Sequence, residues 1–184
     1  MHLPCDPKGP ALVKFRIDRD TLADAVAWTA RSLPNRPSVP VLAGLLLQTA
    51  DGQLTLAGFD YETSTRATLP AEVHDDGQVL VSGRLLAEIV KALPHQPVDI
   101  AVDGSKMQVT CGSARFSLQT MPVDEYPQLP QMPTASGTIK ADAFATAVAQ
   151  ASAAAGRDEM LPLLTGVRLE LEGETISLMA TDRF

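Results

Sequence analysis

The stretch Pro40-Val-Leu-Ala-Gly-Leu-Leu-Leu-Gln-Thr-Ala-Asp-Gly-Gln-Leu-Thr-Leu-Ala-Gly-Phe-Asp60 decides the fold, because the chain returns to it. It reads as two strands joined at Asp51-Gly52. From Pro162, Pro-Leu-Leu-Thr-Gly-Val-Arg-Leu-Glu-Leu-Glu-Gly-Glu-Thr-Ile-Ser-Leu-Met-Ala-Thr-Asp182 has the same punctuation and nearly the same apolar pattern. Ile17, Asp20, Ala23, Ala25, Val26, Ala27, Pro40, Leu42, Gly44, Leu47, Leu56 and Asp60 recur as Ile139, Asp142, Ala145, Ala147, Val148, Ala149, Pro162, Leu164, Gly166, Leu169, Leu178 and Asp182. The offset is about 122 residues without a gap, and about 12 of 48 aligned pairs are identical. A strand pair alone would recur by chance; a preceding helix in constant register would not. The chain reads as one complete unit and the opening of a second, with Phe184 inside the second.

Composition is that of a globular protein: 184 residues, 45% hydrophobic and 20% charged. Aromatic residues make up only 4%, so the core must be built from Leu, Val, Ile and Ala. A formal net charge of -7 argues against a tail or patch that grips nucleic acid by bulk charge, though a local basic surface fits within it. Cys5 and Cys111 suggest no pairing, and reduced, cytosolic chemistry is the expectation. No run is apolar enough for a signal peptide or a membrane span. Residues 1–12 read as a disordered leader, with prolines at Pro4, Pro7 and Pro10.

Along the chain, Val13 to Ile17 predicts a strand and Thr21 to Leu33 a helix capped by Asp20. Leu22, Ala25, Val26, Thr29 and Leu33 form its apolar stripe, with Asp24, Ala27, Trp28 and Arg31 off it. Pro34, Pro37 and Pro40 impose an extended loop carrying Asn35 and Arg36. After the strand pair, 62–69 predicts a third strand, His74-Asp75-Asp76-Gly77 a polar turn, and Val79-Leu-Val81 a short strand. Ser82 caps a second helix with the stripe Leu86, Ile89, Val90 and Leu93. A hairpin about Asp103-Gly104, whose Asp-Gly pair tolerates positive φ, and a strand from Arg115 to Gln119 follow. Strand, helix and three strands thus occur at 13–69 and again at 79–119. The two halves are expected to pack helix against helix beneath one continuous sheet, related by a pseudo-twofold axis. Residues 121–137, with four prolines, read as a connector. A strand at Thr138, a cap at Asp142 and a helix to about Ala155 open the next unit.

Phe15-Arg-Ile, Arg36-Pro-Ser-Val-Pro-Val-Leu-Ala-Gly-Leu-Leu-Leu, Gly58-Phe-Asp-Tyr-Glu, Leu80-Val-Ser-Gly-Arg-Leu-Leu, Gly112-Ser-Ala-Arg-Phe-Ser-Leu, Met121-Pro-Val-Asp-Glu-Tyr-Pro, Ala155-Gly-Arg-Asp and Ala180-Thr-Asp-Arg-Phe carry a resemblance. In order and spacing they resemble the bacterial sliding clamp, the β subunit of DNA polymerase III, in an Ala-rich, actinobacterial form. The resemblance implies an α+β DNA-clamp fold in which each domain is a duplicated βαβββ unit, with helices lining a central hole and sheets outside. It implies domain I at 13–120, the connector at 121–137 and the opening of domain II at 138–184. Family members carry three such domains, so this chain is an N-terminal portion. The family opens near Lys14-Phe15, which makes residues 1–12 an extension and Val13 the expected initiation site.

The implied function is a non-enzymatic processivity factor: a homodimeric ring around duplex DNA, read without regard to sequence, without cofactor or metal. Its implied partners are the replicative polymerase subunit, the clamp loader and repair polymerases, in the cytoplasm and not at a membrane. The resemblance places Arg36 against the DNA backbone, with Arg157 in nearly the equivalent loop of the next unit. Arg31, Arg84 and Lys91, off the buried stripes, are further DNA-contact candidates. Leu164, Thr181 and Arg183 fall on one wall of the cleft that captures partner peptides. Ile89 and Arg115 fall at the subunit interface, although Ile89 is equally a stripe residue.

Catalytic readings find little footing. His2, His74 and His95 sit in a leader, a polar turn and a Pro-His-Gln-Pro loop, without ligand spacing. No Gly-rich phosphate loop or nucleophile elbow occurs. Asp60 and Asp182, repeat equivalents, read as strand-end turn residues rather than a carboxylate pair. The rival readings are a hydrolase or nucleotide-binding enzyme on a duplicated scaffold, and a truncated clamp paralogue acting as a partner-binding decoy without encircling DNA.

Overall fold

A computed structural model describes residues 13–131, 133–135, 137–158 and 160–183. The leader, Cys5 and His2 lie outside the described residues. The chain divides into two compact units at Gln131.

The first unit runs β1 (Lys14–Ile17), α1 (Arg19–Ala30), β2 (Gly44–Ala50), β3 (Gln53–Phe59), β4 (Ser64–Pro70), β5 (Glu72–Asp75), β6 (Gly77–Ser82), α2 (Gly83–Ala92), β7 (Val98–Asp103), β8 (Lys106–Cys111) and β9 (Ala114–Met121). The sheet order is β4-β3-β2-β6-β9-β8-β7-β1-β5, with every pairing antiparallel. The duplication is visible in that order. Each half supplies three consecutive strands, β2-β3-β4 or β7-β8-β9, but its first strand joins the other half: β1 pairs with β7, and β6 with β2. Since β5 continues β4 past Ala71 and pairs with β1, the sheet closes on itself. At the opposite seam β6 meets β9 through Leu80↔Met121 and Val81↔Thr120.

The helices pack on each other and on the sheet. Their predicted stripes are buried: Leu22, Ala25, Val26 and Thr29 on α1, and Leu86, Ile89 and Val90 on α2. With Leu45, Leu47, Leu54, Leu56, Ile100 and Val109 they form one aliphatic core. Gly83, at the start of α2, lies where an added Cβ would collide with the Leu33 side chain, so the absence of a side chain lets α2 approach the end of α1. A smaller cluster joins Tyr126 to Val41, Leu46, Ala57 and Leu80. The opening residues of the 121–137 segment are therefore packed against the first unit.

Several boundaries differ from the sequence reading. Asp18, not Asp20, caps α1: its Oδ1 accepts from the Thr21 backbone N–H at 2.9 Å and the Thr21 hydroxyl at 2.8 Å. The helix begins earlier than its apolar stripe, which places Asp20 inside the first turn. Ser82 caps α2 as expected. Pro40–Ala43 is a short 3-10 turn rather than strand, with Pro at its start where no N–H is required. His74 and Asp75 belong to β5, because that segment finds a partner in β1. The hairpin predicted at Asp103-Gly104 turns at Gly104-Ser105, since Asp103 pairs with Lys106 and Gly104 alone of the pair takes positive φ, at 58°. At Asp51-Gly52 both residues take positive φ, 50° and 72°, as the mirror-image hairpin turn demands.

The second unit holds α3 (Ala141–Ser152), a 3-10 turn at Pro162–Leu164, and the hairpin β10 (Arg168–Glu172) and β11 (Thr175–Met179). The repeat extends to the 3-10 turns at Pro40 and Pro162. Gly173-Glu174 takes the place of Asp51-Gly52. Lys140, not Asp142, precedes α3 at its N-cap, and the helix ends at Ser152. No strand forms at Thr138 among the described residues. Its counterpart β1 is paired on one side by β7, from the other half-unit, and on the other by β5, which continues β4.

Candidate nucleic-acid interface and partner cleft

On the first unit the sides of α1 and α2 turned away from the core form a shallow groove of about 440 Å³, lined by Ala23, Asp24, Ala27, Ala87, Glu88 and Lys91, with Arg19 beside them. The alanines leave the floor flat. Arg19 is tied down: it donates to Asp20 Oδ1 at 2.8 Å and to the Lys91 carbonyl at 2.7 Å, joining the start of α1 to the end of α2. The Asp20 carboxylate also meets His95 Nδ1 at 3.0 Å. Donation from Arg19 holds the Asp20 carboxyl below its ordinary value, against an opposing desolvation and with help from His95.

The candidate DNA-contact residues are all exposed. Arg31 is the C-cap of α1, Arg84 lies in the first turn of α2, and Lys91 in its last. Arg36 sits in the loop before the Pro40 turn. None of these four side chains forms an ion pair among the described residues. Their cationic groups therefore remain available to phosphate. The structure adds Trp28, 51% exposed on the same side of α1, which the sequence reading placed off the stripe but assigned no role.

In the second unit a cleft of about 480 Å³ is lined by Gly156, Arg157, Leu161, Leu164, Asp182 and Arg183, with Ala153 and Ala155 at its side. Leu164 and Arg183, predicted for one wall, are brought together here. Arg157, predicted for DNA, lines the same cleft. Thr181 lies beside it on the chain, exposed, its hydroxyl donating to the Asp182 carbonyl at 3.1 Å. The Gly156 N–H donates to the Leu164 carbonyl at 2.7 Å, and a Cβ on Gly156 would stand 3.2 Å from that oxygen. Gly156 thus lets the loop after α3 close on Leu164.

Leu161, Ala155 and Gly156 are cleft residues that the sequence reading missed. The repeat offset carried a signal: the first unit has Leu33 and Pro34 where the cleft has Ala155 and Gly156. Leu33 is buried in the first core. Smaller residues leave that space open.

Ile89 is buried beneath α2, 9% exposed, and Arg115 is exposed on β9. Asp60 Oδ1 accepts from the backbone N–H groups of Glu62 at 3.0 Å and Thr63 at 2.6 Å, which commits the carboxylate to the β3–β4 turn. No cluster of metal-ligating side chains occurs among the described residues.

Comparisons with known proteins agree with this architecture. The family model for the DNA polymerase III beta subunit N-terminal domain matches residues 13–130, and that for the central domain matches 138–184. A beta sliding clamp of Streptomyces coelicolor is 59% identical over 172 residues, covering 94% of this chain and 46% of the relative. The crystal structure of the Bacillus subtilis DNA polymerase sliding clamp superposes with a TM-score of 0.86 at 28% identity, covering 94% of this chain and 48% of that one. A Pseudomonas aeruginosa clamp crystallised with griselimycin gives a TM-score of 0.83 at 30% identity, covering 92% and 47%. The chain spans about half the length of the curated relatives it matches. With both family models aligned in order along a DNA-clamp fold, the chain belongs to the bacterial DNA polymerase III β-subunit family.

Proposed function

We propose that this chain is the N-terminal portion of a β sliding clamp, a non-catalytic subunit that closes as a homodimeric ring around duplex DNA. It tethers the replicative polymerase for processive synthesis, and it also docks the clamp loader and repair polymerases. It acts in the cytoplasm, on the nucleoid. The observation that carries the reading is the ordered match to two clamp domains, at 59% identity to the Streptomyces coelicolor clamp.

The site chemistry fits. Arg36, Arg31, Arg84 and Lys91 offer unpaired cations on and beside the two helices, and Asp24 and Glu88 interrupt them. Such a surface touches phosphates without a base-reading array, which suits sequence-blind sliding. The cleft presents an apolar floor from Leu161 and Leu164, with Arg157 and Arg183 and the carboxylates Asp158 and Asp182 around it. That arrangement fits a short partner peptide with an apolar anchor flanked by polar groups. Arg115, exposed on β9, is assigned to the contact with the neighbouring subunit, whereas Ile89 is taken up by the core between α2 and the sheet.

Topology provides the test. The protein from its natural source, loaded onto nicked circular DNA, is expected to remain bound in high salt and to leave when the circle is cut. Equal retention on circular and linear DNA sinks the ring. Peptide capture with no retention on circles would favour the decoy reading instead.

A further inference from the structure

The chain has one tryptophan, and it is in an unusual place. Trp28 is 51% exposed on α1, on the side carrying Asp24, Ala27 and Arg31 and away from the buried stripe. Among the described residues no aromatic ring stacks on the indole, and its N–H has no partner. A large apolar side chain left open is the informative departure on a protein surface. An indole left half open gains only part of what its area offers.

Its neighbours suggest what covers it. The Arg31 N–H donates to the Trp28 carbonyl at 3.3 Å, and at three residues' separation the two side chains share one face of the helix end. Arg36 follows in the loop. Neither arginine pairs with a carboxylate among the described residues. Trp28 has no aromatic counterpart in the second half of the unit: Leu22 corresponds to Leu86, so Trp28 corresponds to Ala92. A flat apolar ring beside an unpaired guanidinium group, with a second arginine in the loop that follows, matches a polyanion whose backbone alternates phosphates with apolar sugar faces. Duplex DNA has that chemistry.

We infer that Trp28 is a DNA-contact residue, its ring lying against the deoxyribose edge of the duplex while Arg31 and Arg36 hold neighbouring phosphates. The inference rests on the DNA reading above. The contact carries no charge, so it releases no counterion and reads no base. It adds affinity that salt does not screen, on one half of the unit only.

Fluorescence tests it, because the emission of this chain comes from Trp28 alone among tryptophans. A short duplex is titrated into the chain at several salt concentrations, with Trp28→Ala and Arg31→Ala followed by anisotropy of labelled DNA. Trp28 emission is expected to change on binding. Trp28→Ala is expected to bind roughly three- to tenfold more weakly with the salt slope unchanged. Arg31→Ala is expected to lower that slope by about 1. If the duplex binds and binding weakens in Arg36→Ala, but Trp28 emission stays fixed and Trp28→Ala binds like the parent, the inference is overturned while the DNA reading stands. If neither Arg36→Ala nor Arg31→Ala affects binding, the DNA reading itself falls, and the inference with it.

Discussion

Asp18 and Asp20 stand two residues apart at the start of α1 and do different work. Asp18 accepts from the Thr21 backbone and hydroxyl, and those bonds, the backbone one first, hold its carboxyl below the ordinary 3.8. A depressed carboxyl contributes stability that is present above its unfolded value and lost as pH falls through its folded value, here below 3.8. Asp18→Ala is expected to lower the thermal midpoint of the first unit by about 3 °C at neutral pH, and Asp20→Ala by less. Asp18→Asn retains a capping oxygen and should flatten the acid limb of stability below about pH 4. Calorimetry from pH 2.5 to 7 checks both; an equal loss for Ala at either position would contradict the cap assignment. The cap was only half legible in the sequence. Two carboxylates lay within capping reach, and propensity alone does not choose between them.

The repeated hairpin allows one element to be compared in two settings. Leu47 in β2 is fully buried, while its equivalent Leu169 in β10 is 48% exposed. Leu47→Ala therefore leaves a cavity and is expected to cost about 3 kcal/mol. Leu169→Ala should stay within about 0.5 kcal/mol. Denaturant unfolding of each variant measures the difference, and similar losses would mean that the second hairpin is packed in solution. Element type was legible because apolar alternation and paired turn residues are local. Register at the turns was less so. The Gly104-Ser105 turn sits one residue beyond the Asp-Gly pair because Asp103 completes a ladder pair with Lys106.

Across the molecule the two units differ in kind. The first closes its sheet and buries a continuous aliphatic core. In the second no described residue is buried, and Ile139, Leu169, Leu171 and Met179 are exposed. Amide exchange of this 184-residue chain is expected to be slow in α1, α2 and β2 to β9, and faster by at least a hundredfold, on the order of 3 kcal/mol, through 138–183. Mass spectrometry of deuterium uptake reads this directly; uniform protection would refute the contrast.

The sequence by itself determined the duplication, the α+β class, the buried stripes and the family, since each rests on periodicity or on side chains a few residues apart. It also brought forward Leu164 and Arg183, which line one cleft, and Arg36 as a proposed phosphate contact. The tertiary structure alone decided that each half-unit lends its first strand to the other, because such pairing joins β1 to β7 across some eighty residues. Tertiary structure also gathered Arg157, Leu161, Leu164 and Arg183 into one cleft and left Trp28 uncovered. Exposure is a property of what packs nearby, and no local pattern in the chain encodes it.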